Sequence, residues 1–302
     1  MPDTPSLSDS NSQVRPRRSA LYMPGTNPRA LEKAKSLPAD CLVFDLEDAV
    51  HPDDKVMARQ AVCAAIASGG YGAREIVVRI NALDTLWGMD DVLALSQVTP
   101  DALLVPKVNM SEDIMKVSMH LPDGLALWAM METPQGILNA GEIAACARST
   151  PLAALVFGSN DLLKDMRASM MSNRAPLQTS MSLCVLAARA NGLAVLDGVY
   201  NDYKDGDGLL EECRQGVAYG FDGKTLIHPD QLSVANSVFA PSSDAIAEAE
   251  TIVAAFDRPE NAGKGVITIA GKMTERLHYD QSKQILALAA HIRTFEAKFQ
   301  DD

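Results

Sequence analysis

The chain has 302 residues, of which 47% are hydrophobic and 22% are charged, a composition typical of globular proteins and not of disordered ones. Its formal net charge of −12 argues against a general polyanion-binding role, so we expect no nucleic-acid partner. No segment approaches the roughly 18 consecutive apolar residues of a membrane span, so we also expect no membrane partner.

Residues 1–17 form the first predicted segment, a disordered polar tail. Residues 1–19 lack the apolar stretch of a signal peptide, and they contain Asp3 and Asp9, which an acid-poor transit peptide would avoid. The five cysteines include no C-x-x-C pair and predict buried thiols in a reducing compartment. We therefore expect a cytoplasmic protein.

Eight short apolar runs follow the tail at fairly even intervals. They are nearly continuously hydrophobic, which is typical of parallel strands covered on both faces. The runs are residues 19–23, 41–46, 76–80, 102–105, 125–131, 152–157, 193–196 and 221–227. Segments with helical patterning lie between them, among them residues 28–36, 53–68, 111–120, 134–147, 177–191 and 208–219.

This alternation predicts an α/β fold, a (β/α)8 TIM barrel over residues 18–240. A doubly wound open sheet is the alternative, but its usual Gly-rich phosphate turn is missing after the first strand. From about residue 241 the pattern becomes a helix, a polar loop, a short strand at 266–269 and a long helix. We expect residues 241–302 to form a small C-terminal helical lid segment that packs on the barrel or on a neighbouring subunit.

Carboxylates follow several neighbouring strands of the predicted barrel, at the end where barrel enzymes place their chemistry. Glu132 and Asp161 follow adjacent strands and form the natural pair of ligands for Mg²⁺, with Mn²⁺ as an alternative. The alternative for Asp161 is a helix cap, whereas Glu132 follows an apolar run and is a poor cap. The histidines have no H-x-x-x-H spacing, which argues against a soft-metal site.

Two basic side chains accompany these carboxylates. Arg79 lies within an apolar strand, and a buried arginine requires an anionic partner, for which Glu47 or a substrate oxygen would serve. Glu47 is therefore grouped with Arg79 as a candidate catalytic residue. Lys107, which follows the fourth strand, is expected to support the carboxylates and not to act as a Schiff-base nucleophile.

A series of short motifs, in order from residue 18 to about residue 240, resembles the citrate lyase β-subunit/malyl-CoA lyase family of the HpcH/HpaI aldolase/citrate lyase superfamily. The motifs are RSALYMPG (18–25), DLEDAV (45–50), VRIN (78–81), PK (106–107), ET (132–133), GSNDL (158–162), DGV (197–199) and GKTLIHP (223–229). The resemblance implies a Mg²⁺-dependent barrel with a C-terminal lid, assembled as a homotrimer or hexamer. It also implies a lyase that cleaves or forms a C–C bond between an acyl-CoA and a 2-oxo acid.

The resemblance assigns roles to individual positions. It implies that Glu132 and Asp161 bind the metal, that Arg79 contacts the thioester carbonyl oxygen, and that the Asn160 backbone N–H binds the oxo-acid carboxylate. The coenzyme A moiety would pass Tyr22, Lys33, Ile227 and His228. Three of these have a plainer alternative, since Lys33 suits a solvated helix face, Tyr22 suits the core and His228 suits a helix cap.

The C-terminal segment departs from the family pattern. Many of these lyases place an Asp from a neighbouring subunit's lid over the site as acid/base, in a Gly-x-hydrophobic-x-Asp pattern. Here Glu275 takes that place, in Gly271-Lys272-Met273-Thr274-Glu275, and its longer reach affects which reaction is expected. A surface glutamate at the last helix is the alternative for this residue.

The expected substrates are malyl-, citramalyl- or citryl-CoA-type thioesters, with acetyl- or propionyl-CoA and a 2-oxo acid as the two halves. Two alternatives stay open. One is a different enzyme on the same site, either a malyl-CoA thioesterase or a metal aldolase for 2-oxo acids without CoA. The other is a citrate-lyase-type subunit that depends on a carrier protein inside a complex.

Overall fold

A computed structural model describes residues 15–298 of the chain. Apart from residues 15–17, the predicted N-terminal tail lies outside the described residues. The chain divides into two compact units, a large one at Arg17–Phe239 and a smaller one that includes the residues from Ala240 onward. Within the described residues, no helix combines the length and apolar character needed to cross a membrane.

The large unit is a closed barrel of eight parallel strands, which confirms the predicted (β/α)8 fold. Each strand pairs with its neighbours in sequence, and β8 closes the ring on β1 with Ser19 opposite Lys224. The strands are β1 (Ser19–Pro24), β2 (Cys41–Asp45), β3 (Glu75–Arg79), β4 (Ala102–Val105), β5 (Ala126–Met131), β6 (Leu152–Phe157), β7 (Ala194–Asp197) and β8 (Gly223–Leu226).

Helices connect the strands around the outside of the barrel. They are α1 (Pro28–Ala34), α2 (Lys55–Ser68), α3 (Gly88–Leu95), α4 (Ser111–Ser118), α5 (Pro134–Leu138), α6 (Ala140–Ala145), α7 (Ser159–Met166), α8 (Gln178–Ala190), α9 (Gly206–Tyr219) and α10 (Leu232–Val238). The single helix predicted at 134–147 is wrong, because the backbone leaves helical geometry at Asn139 and separates α5 from α6. The ranges predicted from the sequence did not include the short helices α3, α7 and α10.

The strands are buried on both faces, as their continuous apolar sequences predict. Alternate side chains point outward, where Leu42, Phe44 and Val78 belong to the large core beneath the helices. The intervening side chains point inward, where Val43 and Trp128 belong to a smaller core inside the barrel. The barrel is thus a packed scaffold that holds the carboxyl ends of its strands in fixed positions.

The small unit contains two further helices and a hairpin. Helices α11 (Ser243–Phe256) and α12 (Arg276–Lys298) share an apolar cluster with β9 (Val266–Ile269). The strand β9 pairs antiparallel with β10 (Lys272–Glu275) through a turn in which Ala270 and Gly271 both have positive φ. The strand β10 was not predicted, and it makes Glu275 the last residue of a strand, directly before α12.

Candidate active site

A cavity of about 420 Å³ opens among the loops that follow the barrel strands. Six of the predicted site residues line it, contributed by five of the strands or the segments that follow them: Tyr22, Arg79, Glu132, Asn160, Asp161 and Ile227. The other predicted residues of the barrel, Glu47, Lys33 and His228, are not part of this lining. The structure therefore brings the predicted metal and thioester-carbonyl residues together at one place.

Arg79 lies at the end of β3 and is 8% exposed. Its Nε and Nη2 donate to the two carboxylate oxygens of Asp45, at 2.7 and 2.6 Å. Burial opposes ionisation of Asp45, but Arg79 and the backbone N–H groups of Glu47 and Ala49 hold the pKa of this carboxyl below its usual value. The predicted partner Glu47 is secondary, with Oε2 at 3.0 Å from Arg79 Nη1.

The third nitrogen of Arg79, Nη1, is directed away from Asp45. It lies 3.3 Å from the exposed Asp48 carboxylate, and the guanidinium carbon lies 4.9 Å from the centre of the Tyr22 ring. Burial disfavours the charged form and lowers the pKa of Arg79, but Tyr22, Asp45 and Glu47 together raise this pKa well above its ordinary value. The site therefore holds a permanent, oriented cation beside the cavity.

Lys107 supports two carboxylates, as its sequence position predicts. Its backbone N–H donates to Glu132 Oε1 at 2.8 Å, and its Nζ contacts Glu47 Oε1. Lys107 has a φ of 51°, a left-handed conformation that is uncommon for a residue with a side chain. The other oxygen of Glu47, Oε2, is buried and has no hydrogen-bond partner, although it lies close to Arg79.

Glu132 follows β5 and is 2% exposed. Burial, followed by the nearby negative charge of Glu47, raises the pKa of Glu132 to about 7. Gly158 provides the space for this carboxylate, because a Cβ at residue 158 would lie 2.5 Å from Glu132 Cβ and 2.7 Å from Oε2. The Lys107 backbone N–H and the positive charge of Arg79 oppose this rise and only partly offset it.

Asp161 lies in the first turn of α7, and its side chain pairs with Lys164 Nζ at 2.8 Å. The helix begins after Gly158, which offers no side-chain cap, and the first-turn residues Ser159, Asn160 and Asp161 line the cavity. Asp161 contributes to the raised pKa of Glu132, which places its charge near the same carboxyl.

The donor set fits Mg²⁺ shared with water and a ligand. Within residues 15–298, no group of three or more His, Cys, Asp or Glu side chains is arranged to hold a metal ion. Glu132 and Asp161 therefore supply two carboxylates, which suits Mg²⁺ because this ion keeps several waters and shares its shell with substrate oxygens. A divalent cation would also neutralise the charge that raises the pKa of Glu132.

Of the four predicted CoA residues, Tyr22 and Ile227 line the cavity, whereas Lys33 and His228 do not. Tyr22 is half-buried among the strand ends, and Ile227 is 41% exposed at the cavity. Lys33 lies exposed in the last turn of α1. His228 serves as a helix cap, accepting from the Asp230 backbone N–H at 3.2 Å, and its ring stacks on Tyr203.

Two residues of this site were missed at the sequence level. Asp45 was grouped with the other acids of its motif, although its place as the last residue of β2, opposite Arg79 in the strand register, would have indicated the pair. Asn201 lines the cavity from the loop after β7, and no feature of the sequence pattern indicated it.

The predicted acid/base residue Glu275 belongs to the small unit, where it is exposed and its backbone N–H donates to His278 Nδ1.

Comparison with known proteins confirms the resemblance. Residues 18–229 match the sequence model of the HpcH/HpaI aldolase/citrate lyase family. A Cereibacter sphaeroides protein named (3S)-malyl-CoA thioesterase is 49% identical over 94% of this chain and 99% of its own length. Human mitochondrial citramalyl-CoA lyase is 34% identical over 95% of this chain and 89% of its own length.

A solved structure gives the same result for the fold. It is CitE from Mycobacterium tuberculosis in complex with magnesium, acetoacetate and coenzyme A. That protein is 29% identical to this chain, covers 90% of it and 97% of its own length, and has a TM-score of 0.75. The ligands in that complex are a divalent metal, an oxo acid and the coenzyme.

Proposed function

Because this chain belongs to the HpcH/HpaI aldolase/citrate lyase family, we propose that it is a Mg²⁺-dependent enzyme that acts on a malyl-type CoA thioester. In the proposed reaction it cleaves, or forms, the C–C bond between the acyl-CoA half and the 2-oxo acid half. The observation that carries the proposal is the placement of the Arg79 cation and the Glu132 carboxylate on one cavity.

We assign Arg79 to the thioester half of the substrate. Cleavage of the C–C bond leaves negative charge on the thioester oxygen as an enolate, and a fixed cation at that oxygen lowers the barrier. Asp45 holds two of the three guanidinium nitrogens, so the cation is oriented before the substrate binds. Its Nη1 is the atom that we assign to the thioester oxygen.

Glu132 and Asp161 would hold the metal beside the other half of the substrate. When bound, Mg²⁺ supplies a Lewis acid that polarises the oxygen destined to become the keto group. The backbone N–H groups at the start of α7, including that of Asn160, would bind the carboxylate of this half. Lys107 would keep Glu132 in place through its backbone N–H.

For the coenzyme, we propose a path past Tyr22 and Ile227 at the cavity toward Lys33 and His228 outside it. Ile227 offers an exposed apolar surface for the pantetheine arm, and Lys33 offers an exposed charge for a phosphate. We further propose a homo-oligomer, a trimer or hexamer, in which Glu275 acts as acid/base for a neighbouring subunit. The free state of all five cysteines supports a cytoplasmic location.

Hydrolysis of the thioester is the second candidate. It is favoured by the 49% identity, over nearly the whole chain, to a protein named (3S)-malyl-CoA thioesterase. In that reaction water would attack the thioester carbonyl, and Arg79 would stabilise the oxyanion of the tetrahedral intermediate instead of an enolate. The same binding site thus serves both reactions, and the products distinguish them.

The test combines binding with product analysis. Acetyl-CoA is titrated into the full chain with and without Mg²⁺ and glyoxylate or pyruvate, and we expect its affinity to increase when metal and oxo acid are present. Malyl-CoA is then supplied, and acetyl-CoA plus glyoxylate indicates cleavage, whereas malate plus free CoA indicates hydrolysis. Oxo-acid binding without any response to CoA would overturn the proposal in favour of an aldolase or a carrier-dependent subunit.

A further inference from the structure

Asn160 and Asn201 form a reciprocal amide pair at the cavity. Asn160 Nδ2 donates to Asn201 Oδ1 at 3.2 Å, and Asn201 Nδ2 donates to Asn160 Oδ1 at 2.9 Å. Both residues are exposed and both line the cavity. Because an amide nitrogen carries two hydrogens, each residue keeps one N–H outside the pair.

The loop that carries Asn201 is held firmly to the barrel. The buried Gln231 donates from Nε2 to the Tyr200 carbonyl at 2.9 Å, and the Tyr203 N–H donates to the Asn201 carbonyl at 3.1 Å. At the start of the loop, Gly198 packs so closely on β6 that a Cβ would lie 2.8 Å from the Phe157 carbonyl oxygen. These hydrogen bonds and this close packing fix the loop that carries Asn201 and so define the position of its amide.

The charge around the cavity makes a neutral donor valuable there. Its lining contains four carboxylates, those of Asp45, Asp48, Glu132 and Asp161, and the lining cation Arg79 is paired with Asp45. An anionic ligand that enters needs donors that bring no further negative charge. The spare N–H of Asn201 is such a donor, next to the start of α7.

We propose that Asn201 is a substrate-binding residue that donates its amide hydrogen to the carboxylate of the 2-oxo or 2-hydroxy acid half. The inference rests on the proposed function, since it takes the acid half to bind beside Glu132 and α7. It adds a side-chain contact from the loop after β7 to the backbone contact assigned to Asn160. Asn201 then selects for a substrate with a carboxylate at this end.

A purely structural role for Asn201 predicts a different mutational pattern. If Asn201 only held Asn160, Asn201→Asp would be mild, because an aspartate keeps the oxygen that accepts from Asn160 Nδ2. Asn201→Ala would then be the more harmful change. If Asn201 binds a carboxylate, the order reverses, because the aspartate removes the donor and adds a like charge.

The experiment is a titration of glyoxylate and pyruvate into the full chain at saturating Mg²⁺. We expect Asn201→Ala to weaken acid binding about tenfold, the value of one hydrogen bond to a charged group, and Asn201→Asp to weaken it several times more. Binding of acetyl-CoA should stay within about twofold in both variants. Asn191→Asp, which adds the same charge at the end of α8 and outside the cavity lining, is the matched control and should bind as the unmodified chain does.

Three results would count against the inference. Acid binding that is unchanged in both variants overturns it, and so does an aspartate variant that binds the acid as well as the alanine variant does. An unmodified chain that binds neither acid with Mg²⁺ overturns the proposed function together with this inference. The first two results leave the proposed function intact, so the two failures are distinguishable.

Discussion

Arg79 and Asp45 form a bidentate ion pair at the wall of the cavity, with nitrogen–oxygen distances of 2.7 and 2.6 Å. The two residues are opposite each other in the register of β2 and β3, so the barrel itself sets their separation. Asp45 is 2% exposed and Arg79 is 8% exposed. Arg79 thus has two functions. Its guanidinium stabilises a buried carboxylate, and it is proposed to stabilise the charge that develops on the substrate.

The first prediction separates the catalytic function of Arg79 from its contribution to stability. Arg79→Gln should reduce kcat by at least about a hundredfold, because a neutral amide cannot offset the enolate charge. It should also lower the free energy of unfolding by about 3–5 kcal/mol, because Asp45 is left buried without its partner. Denaturant unfolding and steady-state kinetics on the same sample measure both effects.

The double variant Arg79→Gln with Asp45→Asn provides the control for this prediction. Two amides can hydrogen-bond across the same strand register, so most of the stability should return while the activity stays low. Recovery of activity in the double variant would show that Arg79 acts only through the fold.

The pairing of Arg79 also shows where sequence reasoning succeeded and where it stopped. The need of a buried arginine for an anion was predicted correctly, because burial of a charge follows from the apolar strand around it. The predicted partner Glu47 does form an ion pair with Arg79, but the main partner, Asp45, was missed because it depends on which strand positions lie opposite each other. Asn201 was missed for a similar reason, since its contact with Asn160 joins the start of α7 to a loop 41 residues later.

The barrel was predictable because its signal is repeated eight times in strands that are buried on both faces. The ranges predicted from the sequence did not include α7, whose eight residues contain three apolar side chains, Leu162, Leu163 and Met166. Its start nevertheless positions Asp161 and Asn160 in the cavity. Asp161 was predicted from the strand end that precedes it and Asn160 from the family resemblance, so neither prediction depended on recognising α7.

The second prediction concerns the space that Gly158 leaves for Glu132. Gly158→Ala should displace the Glu132 carboxylate, since the new Cβ would lie 2.5 Å from Glu132 Cβ, and Mg²⁺ binding should weaken by at least about tenfold. The matched control is Gly141→Ala in α6, where a Cβ meets nothing within 4 Å. It should leave Mg²⁺ binding unchanged and raise stability by about 0.5–1 kcal/mol. Equal Mg²⁺ binding in the two variants would contradict the prediction.

The third prediction tests the metal ligand directly. Glu132→Gln should abolish measurable Mg²⁺ binding in a calorimetric titration while the chain stays folded. An amide oxygen can still accept from the Lys107 N–H, and the change removes a buried carboxyl whose ionisation burial opposes. Thermal unfolding without metal should therefore show no loss of stability at pH 8. Unchanged Mg²⁺ affinity would exclude Glu132 as a ligand.

The fourth prediction is a pH dependence of metal binding. The pKa of Glu132 in the metal-free protein is about 7, above the ordinary value of 4.5, so the folded state favours the protonated form. The stabilising contribution of this group is complete below about pH 4.5 and is lost as the pH rises through 7. Mg²⁺ requires the ionised form, so its affinity should rise about tenfold between pH 6 and pH 8. A flat profile would show that Glu132 is already ionised at pH 6 or does not bind the metal.

The last prediction asks which subunit Glu275 serves. Glu275→Gln should reduce kcat by about a hundredfold or more if the carboxylate is the acid/base, with little effect on acetyl-CoA affinity.

A mixing experiment then identifies the subunit whose site contains Glu275. Arg79→Lys, which keeps the charge but not the bidentate geometry, supplies a second inactive chain with an intact Glu275. When the two inactive variants are mixed and their subunits exchange, some sites combine an intact Arg79 from one chain with an intact Glu275 from its neighbour. Activity should then return to about a quarter of the unmodified level for a random one-to-one mixture in a cyclic assembly. A mixture that stays inactive after exchange would assign Glu275 to its own subunit, and full activity of Glu275→Gln alone would remove it from the mechanism.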